Sequence, residues 1–131
     1  GDFIMTKQIS NLLLVDNEEG LRLAFAKVFR NKGVTVDEAG DPREALRLLQ
    51  QNSYAVLLTD LRLGGSSGKE GLELIRQARD TNPNIHTILW SGYSDETTRK
   101  QAEDLGVDIQ LEKPVSTDRV ETALRNWGIM N

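Results

Sequence analysis

The sequence predicts an α/β fold: a doubly wound, five-stranded parallel sheet, (βα)5, with helices on both faces. Three observations carry this. Apolar runs too short for helices stand at residues 12–15 and 55–58, and residues 85–90 read as a further short strand. Segments with apolar residues at three- and four-residue spacing stand between them. The two patterns alternate five times, and such alternation demands parallel strands joined by right-handed crossovers.

Leu12-Leu13-Leu14-Val15 is apolar throughout, as suits a strand covered on both faces. Leu21, Ala24, Phe25, Val28 and Phe29 follow on one helical face, and Gly33 stops that helix. Val34 and Val36 mark a second strand. Asp41-Pro42-Arg43-Glu44 opens the next helix with a cap, a first-turn proline and a capping-box acid; Ala45, Leu48 and Leu49 form its inner face. The third strand, residues 55–58, leads into the glycine-rich loop. Leu72, Ile75 and Ala78 give a helix that ends near Asn82-Pro83. After the fourth strand, residues 85–90, Ser94 is the expected cap of a polar helix with a thin inner face of Thr98, Ala102 and Leu105. Ile109 and Leu111 mark the fifth strand. Val120, Ala123, Leu124 and Trp127 mark the last helix.

A chain of 131 residues is long enough for one domain with a real core. Residues 1–4, ahead of Met5, read as an appended remnant, leaving a single domain over 5–131. The net charge of −4 argues against direct nucleic-acid binding, which uses a basic face. No apolar run is long enough to cross a membrane, no secretory signal is present, and there is no cysteine for a disulfide or thiolate metal site. A cytoplasmic protein is expected.

In open parallel sheets, sites lie at the carboxyl ends of the strands. Strand one ends in Asp16-Asn17-Glu18-Glu19, strand three in Asp60, strand four in Ser91-Gly92, and strand five runs into Lys113-Pro114. Each has a plain reading. Asp16 suits a helix cap, Asp60 a turn, Ser91-Gly92 a loop and Lys113 a solvated charge. The acid run also favours a helix N-terminus, which explains Glu18 or Glu19 better than Asp16. Four strand ends that together supply acids, a hydroxyl and a lysine on one rim favour a site.

The segments "LLLVDNEE", "LLTDLRL", "LWSGYS" and "EKPVS", in this order at these strand ends, resemble the receiver domain of bacterial two-component response regulators. The resemblance covers residues 7–127. It implies a flavodoxin-like sheet of order 2-1-3-4-5 and a signalling phosphoacceptor rather than an enzyme with a separate substrate. It implies that Asp60 takes a phosphoryl group from a sensor histidine kinase or phosphotransfer protein. Asp16, Asn17, Asp60 and the backbone carbonyl of Arg62 fall at the positions that hold Mg²⁺, with Mn²⁺ as the alternative ion. Lys113 falls at the phosphate-pairing lysine, and Ser91 and Gln110 at the two switch positions. The implied output face, toward an output domain or protein partner, is the fourth helix, fifth strand and fifth helix.

The chemistry is coherent on its own terms. A carboxylate repels an incoming phosphoryl group. A hard divalent cation with oxygen ligands offsets that repulsion, and a lysine adds charge where negative charge accumulates. Phosphoryl transfer needs mainly positioning and electrostatics, so no histidine base is required. His86, the sole histidine, begins the fourth strand away from the rim and reads as structural. Trp90, next to Ser91, reads as packed in or beside the sheet.

The loop "GGSSGKEG" invites a nucleotide reading. A phosphate loop of the Walker type needs four residues between its glycines and then Gly-Lys-Ser/Thr. Here Gly64 and Gly68 bracket only Gly65-Ser66-Ser67, and Glu70 follows Lys69. The loop also follows the third strand rather than the first. Its glycines predict mobility.

Two departures from the family pattern stand out. Asn17 replaces one of the usual paired acids, weakening the metal site. Gln110 stands where an aromatic switch residue often sits. These departures keep a second reading in view, a degenerate receiver acting as a phosphorylation-independent interaction module. A flavodoxin-like cofactor binder shares the element order but would need a hydroxyl-rich phosphate loop after strand one, where an acid cluster stands instead.

Overall fold

The computed structural model describes residues 11–131. Residues 1–4, Met5 and the first residues of the resemblance, from Lys7, lie outside the described residues. The chain runs β1 (Asn11–Val15), α1 (Glu19–Asn31), β2 (Thr35–Ala39), α2 (Pro42–Gln51), β3 (Val56–Asp60), α3 (Glu70–Thr81), β4 (His86–Ser91), α4 (Glu96–Asp104), β5 (Ile109–Glu112) and α5 (Thr117–Asn126). All four strand pairings are parallel, and the sheet order is β2-β1-β3-β4-β5. This is the expected flavodoxin-like doubly wound arrangement.

Strand alternation divides the core into two layers. Leu13, Val15, Leu57 and Leu89 face α2 and α3, while Leu12, Leu14, Val56, Leu58, Ile88 and Trp90 face α1 and α5. Both faces of β1 and β3 are therefore dry, which is why these strands carry almost no polar residues. The helix faces are close to expectation, with one rotation. In α1, Ala26 is buried and Ala24 is exposed. The inner seam runs through Arg22, Phe25, Ala26 and Phe29, because Arg22 turns inward. Its guanidinium reaches the Asp16 carbonyl at 2.7 Å and Glu38 at 3.1 Å.

The caps follow the local chemistry. Asp41 accepts from the Glu44 amide at 2.9 Å, and the Glu44 carboxylate answers at the Gly40 amide at 3.2 Å. Gly33 takes a φ of 88° just beyond α1, a conformation that favours glycine. The cap of α4 differs from expectation. Asp95, not Ser94, accepts from the Thr98 amide at 2.8 Å. That bond holds the Asp95 carboxyl below its ordinary range. Ser94 sits one residue too early, and its carbonyl instead takes the Arg99 guanidinium at 2.6 Å. Trp127 lies just past the end of α5, with its ring stacked on His86 at 4.3 Å and 9°. His86 is thus a packing residue at the amino end of β4, as its position suggested.

Candidate functional site

β1, β3, β4 and β5 end on one rim, and each delivers one group there. Strand pairing runs further than the apolar runs alone indicate, so Asp60 and Ser91 are the last residues of β3 and β4. Their backbones are fixed by the sheet. Leu61 N donates to Trp90 O at 3.0 Å, and Lys113 N donates to Ser91 O at 2.8 Å. The peptide bond between Lys113 and Pro114 is cis.

Lys113 is the centre of the cluster. Its Nζ lies 2.8 Å from Asp16 Oδ2 and 3.0 Å from Asp60 Oδ2, with Glu18 Oε1 at 3.6 Å. The ring of Trp90 lies beneath the same ammonium. Asp16 is fully buried, and its other oxygen accepts from the Glu18 amide at 2.8 Å. The backbone of Asp16 is held on both sides, by Ala39 O at 3.1 Å and by Arg22. The second oxygen of Asp60 accepts a long hydrogen bond, 3.3 Å, from the Arg62 amide.

Burial pushes the Asp60 carboxyl above its ordinary range. Lys113 opposes that shift, and the neighbouring charge of Asp16 adds to it. Burial alone would lower the Lys113 ammonium, but its hydrogen bonds to Asp16 and Asp60 outweigh burial and raise it. A carboxylate that is uncomfortable as an anion, beside a lysine that stays charged, suits attack on an electrophile followed by neutralisation of the product's charge.

The remaining expected residues are arranged more loosely. Asn17 is exposed and lies against the glycine-rich loop, its amide nitrogen 3.7 Å from where a Gly64 Cβ would stand. Ser91 is buried, and its hydroxyl makes no hydrogen bond to Asp60 or Lys113 among the described residues. Gln110 lies away from the acids. Its Nε2 donates to Arg99 O at 3.1 Å, tying β5 to α4. A cavity of about 120 Å³ lies between Ser91 and Gln110, under the start of α4.

Among the described residues, no group of three or more His, Cys, Asp or Glu is arranged to hold a metal ion. The donor chemistry still fits a hard cation that uses few carboxylates. Asp16, Asp60 and Glu18 outnumber the single lysine between them. A divalent ion taking Asn17 and backbone carbonyls as additional oxygen donors would offset the excess.

Three supporting residues escaped sequence reasoning. Gly71, in the first turn of α3, packs directly on the Asp60 carbonyl, and its amide donates to Leu61 O at 2.8 Å. Arg22 was hidden in a polar position of an amphipathic pattern. Glu70 organises the loop that its glycines suggested would be mobile. Its carboxylate accepts from Leu63 N at 2.9 Å, Ser67 Oγ at 2.9 Å and Gly68 N at 3.1 Å. Gly64 and Gly68 adopt φ of 91° and 72° to make that wrap. An acid directly after Lys69 was the only signal, and it served there to exclude a nucleotide loop.

Known proteins resemble this chain in sequence and in fold. Residues 12–125 match the model of the response regulator receiver domain. The sporulation initiation phosphotransferase F of Bacillus subtilis is 22% identical over 116 residues, covering 88% of this chain and 91% of its own length. A response regulator receiver domain protein (CheY-like) from Methanospirillum hungatei superposes with a TM-score of 0.84 at 21% identity, covering 91% of this chain and 93% of that one. A response regulator from Burkholderia pseudomallei, solved with a phosphorylated aspartic acid, a calcium ion and citrate, has a TM-score of 0.79 at 31% identity. It covers 87% of this chain and 65% of that one. Several longer regulators and a sensor kinase are spanned over only 12% to 62% of their length. No helix among the described residues is long and apolar enough to cross a membrane. On sequence and on fold alike, the chain belongs to the response regulator receiver domain family of two-component signalling.

Proposed function

We propose that this receiver domain takes a phosphoryl group onto Asp60 from the phosphohistidine of a sensor kinase or phosphotransfer protein. The observation that carries this reading is the single Lys113 ammonium bridging the Asp16 and Asp60 carboxylates at the carboxyl end of the central strands. In the transfer, an Asp60 oxygen forms a bond to phosphorus as the P–N bond to the imidazole breaks. The electron pair of the broken bond returns to the ring. Asp60 leaves its pairing with Lys113, and the ammonium follows the negative charge onto the phosphoryl oxygens. A Mg²⁺ ion, when bound, supplies charge neutralisation and in-line alignment. Asp16, Asn17, Asp60 and the Arg62 carbonyl would hold it. The Burkholderia pseudomallei neighbour, with its phosphorylated aspartic acid and calcium ion, supports this assignment.

Ser91 then donates a hydrogen bond to a phosphoryl oxygen, and the cavity beside it gives the start of α4 room to move inward. The α4–β5–α5 face passes that state to an output domain or protein partner in the cytoplasm. The exposed Asn17 favours the second reading, a phosphorylation-independent interaction module. One assay separates them. Acetyl phosphate with Mg²⁺ should add one phosphoryl mass to the native chain and none to Asp60→Asn, read by intact mass. A native chain that stays unlabelled establishes the interaction-module reading instead.

A further inference from the structure

Trp90 is 1% exposed, and its ring belongs to the core layer beneath α1 and α5. It meets Phe25 edge-on, with centroids 4.8 Å apart at 79°. Its other neighbour is a charge. Lys113 Nζ stands over the ring, 5.3 Å from the centroid, within the range of a cation–π contact. The indole Nε1 is buried and has no acceptor among the described residues. As a core filler, then, indole is a poor choice. An unpaired buried donor costs about 1–3 kcal/mol, and phenylalanine or leucine would bring none. What indole offers beyond them is the ring face that attracts cations most strongly.

We propose that Trp90 is a positioning residue for Lys113, holding the ammonium at the rim through its ring face while Asp60 is engaged in phosphoryl transfer. This rests on the reading of Asp60 as the phosphoacceptor. Lysine is a point charge on a flexible four-carbon stem and drifts toward water unless held. At rest, two carboxylates hydrogen-bond it, and the largely exposed Glu18 carboxylate lies farther off at 3.6 Å. Once Asp60 turns to phosphorus, that hold is halved at the moment the charge is needed. Asp16, the Trp90 ring and the more distant, solvent-exposed Glu18 remain. A ring face adds no net negative charge to repel the incoming phosphoryl group, as a further carboxylate would. The ring is itself fixed before the reaction. Trp90 is paired in the sheet to Asp60 on one side and Leu111 on the other. Phe25 closes the ring from below.

The test is the rate of Mg²⁺-dependent labelling by acetyl phosphate. Native protein, Trp90→Phe and Trp90→Leu are compared in Lys113 and Lys113→Met backgrounds, with circular dichroism confirming the fold. Trp90→Leu should slow labelling about three- to tenfold, and Trp90→Phe by less. In the Lys113→Met background the same leucine change should have under about a 1.5-fold effect, because the cation the ring holds is gone. Equal slowing in both backgrounds, or no slowing in the first, overturns the proposal. If Trp90→Leu fails to fold, Trp90→Phe and fluorescence decide. With Trp127→Phe, Trp90 becomes the sole tryptophan. Its emission should change on labelling, and Lys113→Met should abolish that change; a change that persists unaltered overturns the proposal. Labelling of Asp60→Asn to the native extent would overturn the phosphoacceptor reading itself, an outcome separate from any Trp90 result.

Discussion

Gly71 and Asp60 meet backbone to backbone: a Cβ at Gly71 would stand 2.0 Å from the Asp60 carbonyl oxygen and 2.9 Å from Leu61 Cα. Neither neighbour is a flexible side chain that could step aside. The start of α3 therefore sets the height of the candidate nucleophile at the end of β3.

Gly71→Ala should force α3 and the end of β3 apart. Overpacking of this kind costs about 1–3 kcal/mol. Urea denaturation should show that loss, with slower acetyl phosphate labelling in the folded fraction. Gly20 is the control, since it sits in α1 with nothing within 4 Å of its would-be Cβ. Gly20→Ala should be neutral or stabilising by at most about 1 kcal/mol. Equal stability of the two variants would show that the contact yields freely.

Asp60→Asn should raise the melting temperature at neutral pH. The folded-state pKa of Asp60 lies above its unfolded value, chiefly through burial. The folded chain therefore binds this proton more tightly than the unfolded chain. The contribution of Asp60 to stability is fully present below the unfolded pKa and falls as pH rises through the folded pKa. Above that window the native site holds a carboxylate it disfavours, and asparagine relieves it. The gain should shrink when the melts are repeated at acid pH, below the unfolded pKa. A variant less stable than native at pH 7 would mean that the pairing with Lys113 outweighs burial.

Glu70→Ala should release the loop between β3 and α3. One carboxylate gathers two backbone amides and the Ser67 hydroxyl. Burial disfavours its charge, but those hydrogen bonds outweigh burial and lower its pKa. The stability it brings is present above the unfolded pKa and is lost as pH falls through the folded one. Limited proteolysis should therefore cut the variant within residues 62–69 faster than the native loop, and native protein should become more susceptible as the pH is lowered. Unchanged cleavage would assign the loop's order to its glycines alone.

The sequence made the rim legible because strand ends carry chemistry that apolar runs cannot hide. Asp16, Asp60 and Lys113 are joined in space although 44 and 53 residues separate neighbours along the chain, and four parallel strands bring them together. What stayed illegible lies where a contact is set by one atom's absence or by a side chain's reach. Gly71 resembles any glycine in a polar loop until α3 is laid on β3. Arg22 reads as a solvent-facing residue until its guanidinium turns inward and rotates the buried seam of α1 onto Ala26. Ser94 and Asp95 are equally good cap residues by type, and only the backbone path chooses Asp95.

Gln110→Ala should loosen α4. The buried side chains of that helix are only Thr98 and Ala102, so packing holds it weakly. The bond from Gln110 Nε2 to Arg99 O is a polar tether between β5 and the helix. Its loss should speed amide hydrogen exchange across Glu96–Asp104 more than in the rest of the chain. If exchange rises equally everywhere, the change acts on global stability and Gln110 is no specific tether.

Asn17→Asp should tighten Mg²⁺ binding, by an amount the position of the side chain limits. Asparagine offers a carbonyl oxygen to the ion but no charge. At a separation near 4 Å from a divalent ion, one added charge is worth about 8 kcal/mol at an effective dielectric of 20 and about 2 kcal/mol in water. Asn17 is exposed, so the lower figure governs. Salt screening brings it to about 1 kcal/mol, roughly a fivefold gain in affinity. Asp16 is different, being fully buried and paired with Lys113. Asp16→Ala removes a donor from the deepest part of the site and should abolish measurable binding. Calorimetric titration with Mg²⁺ checks both. The added acid also draws the Lys113 ammonium, so labelling by acetyl phosphate should gain less than metal affinity does. Equal or weaker Mg²⁺ affinity in Asn17→Asp would show that residue 17 does not face the ion, and would move the metal donors toward Glu18.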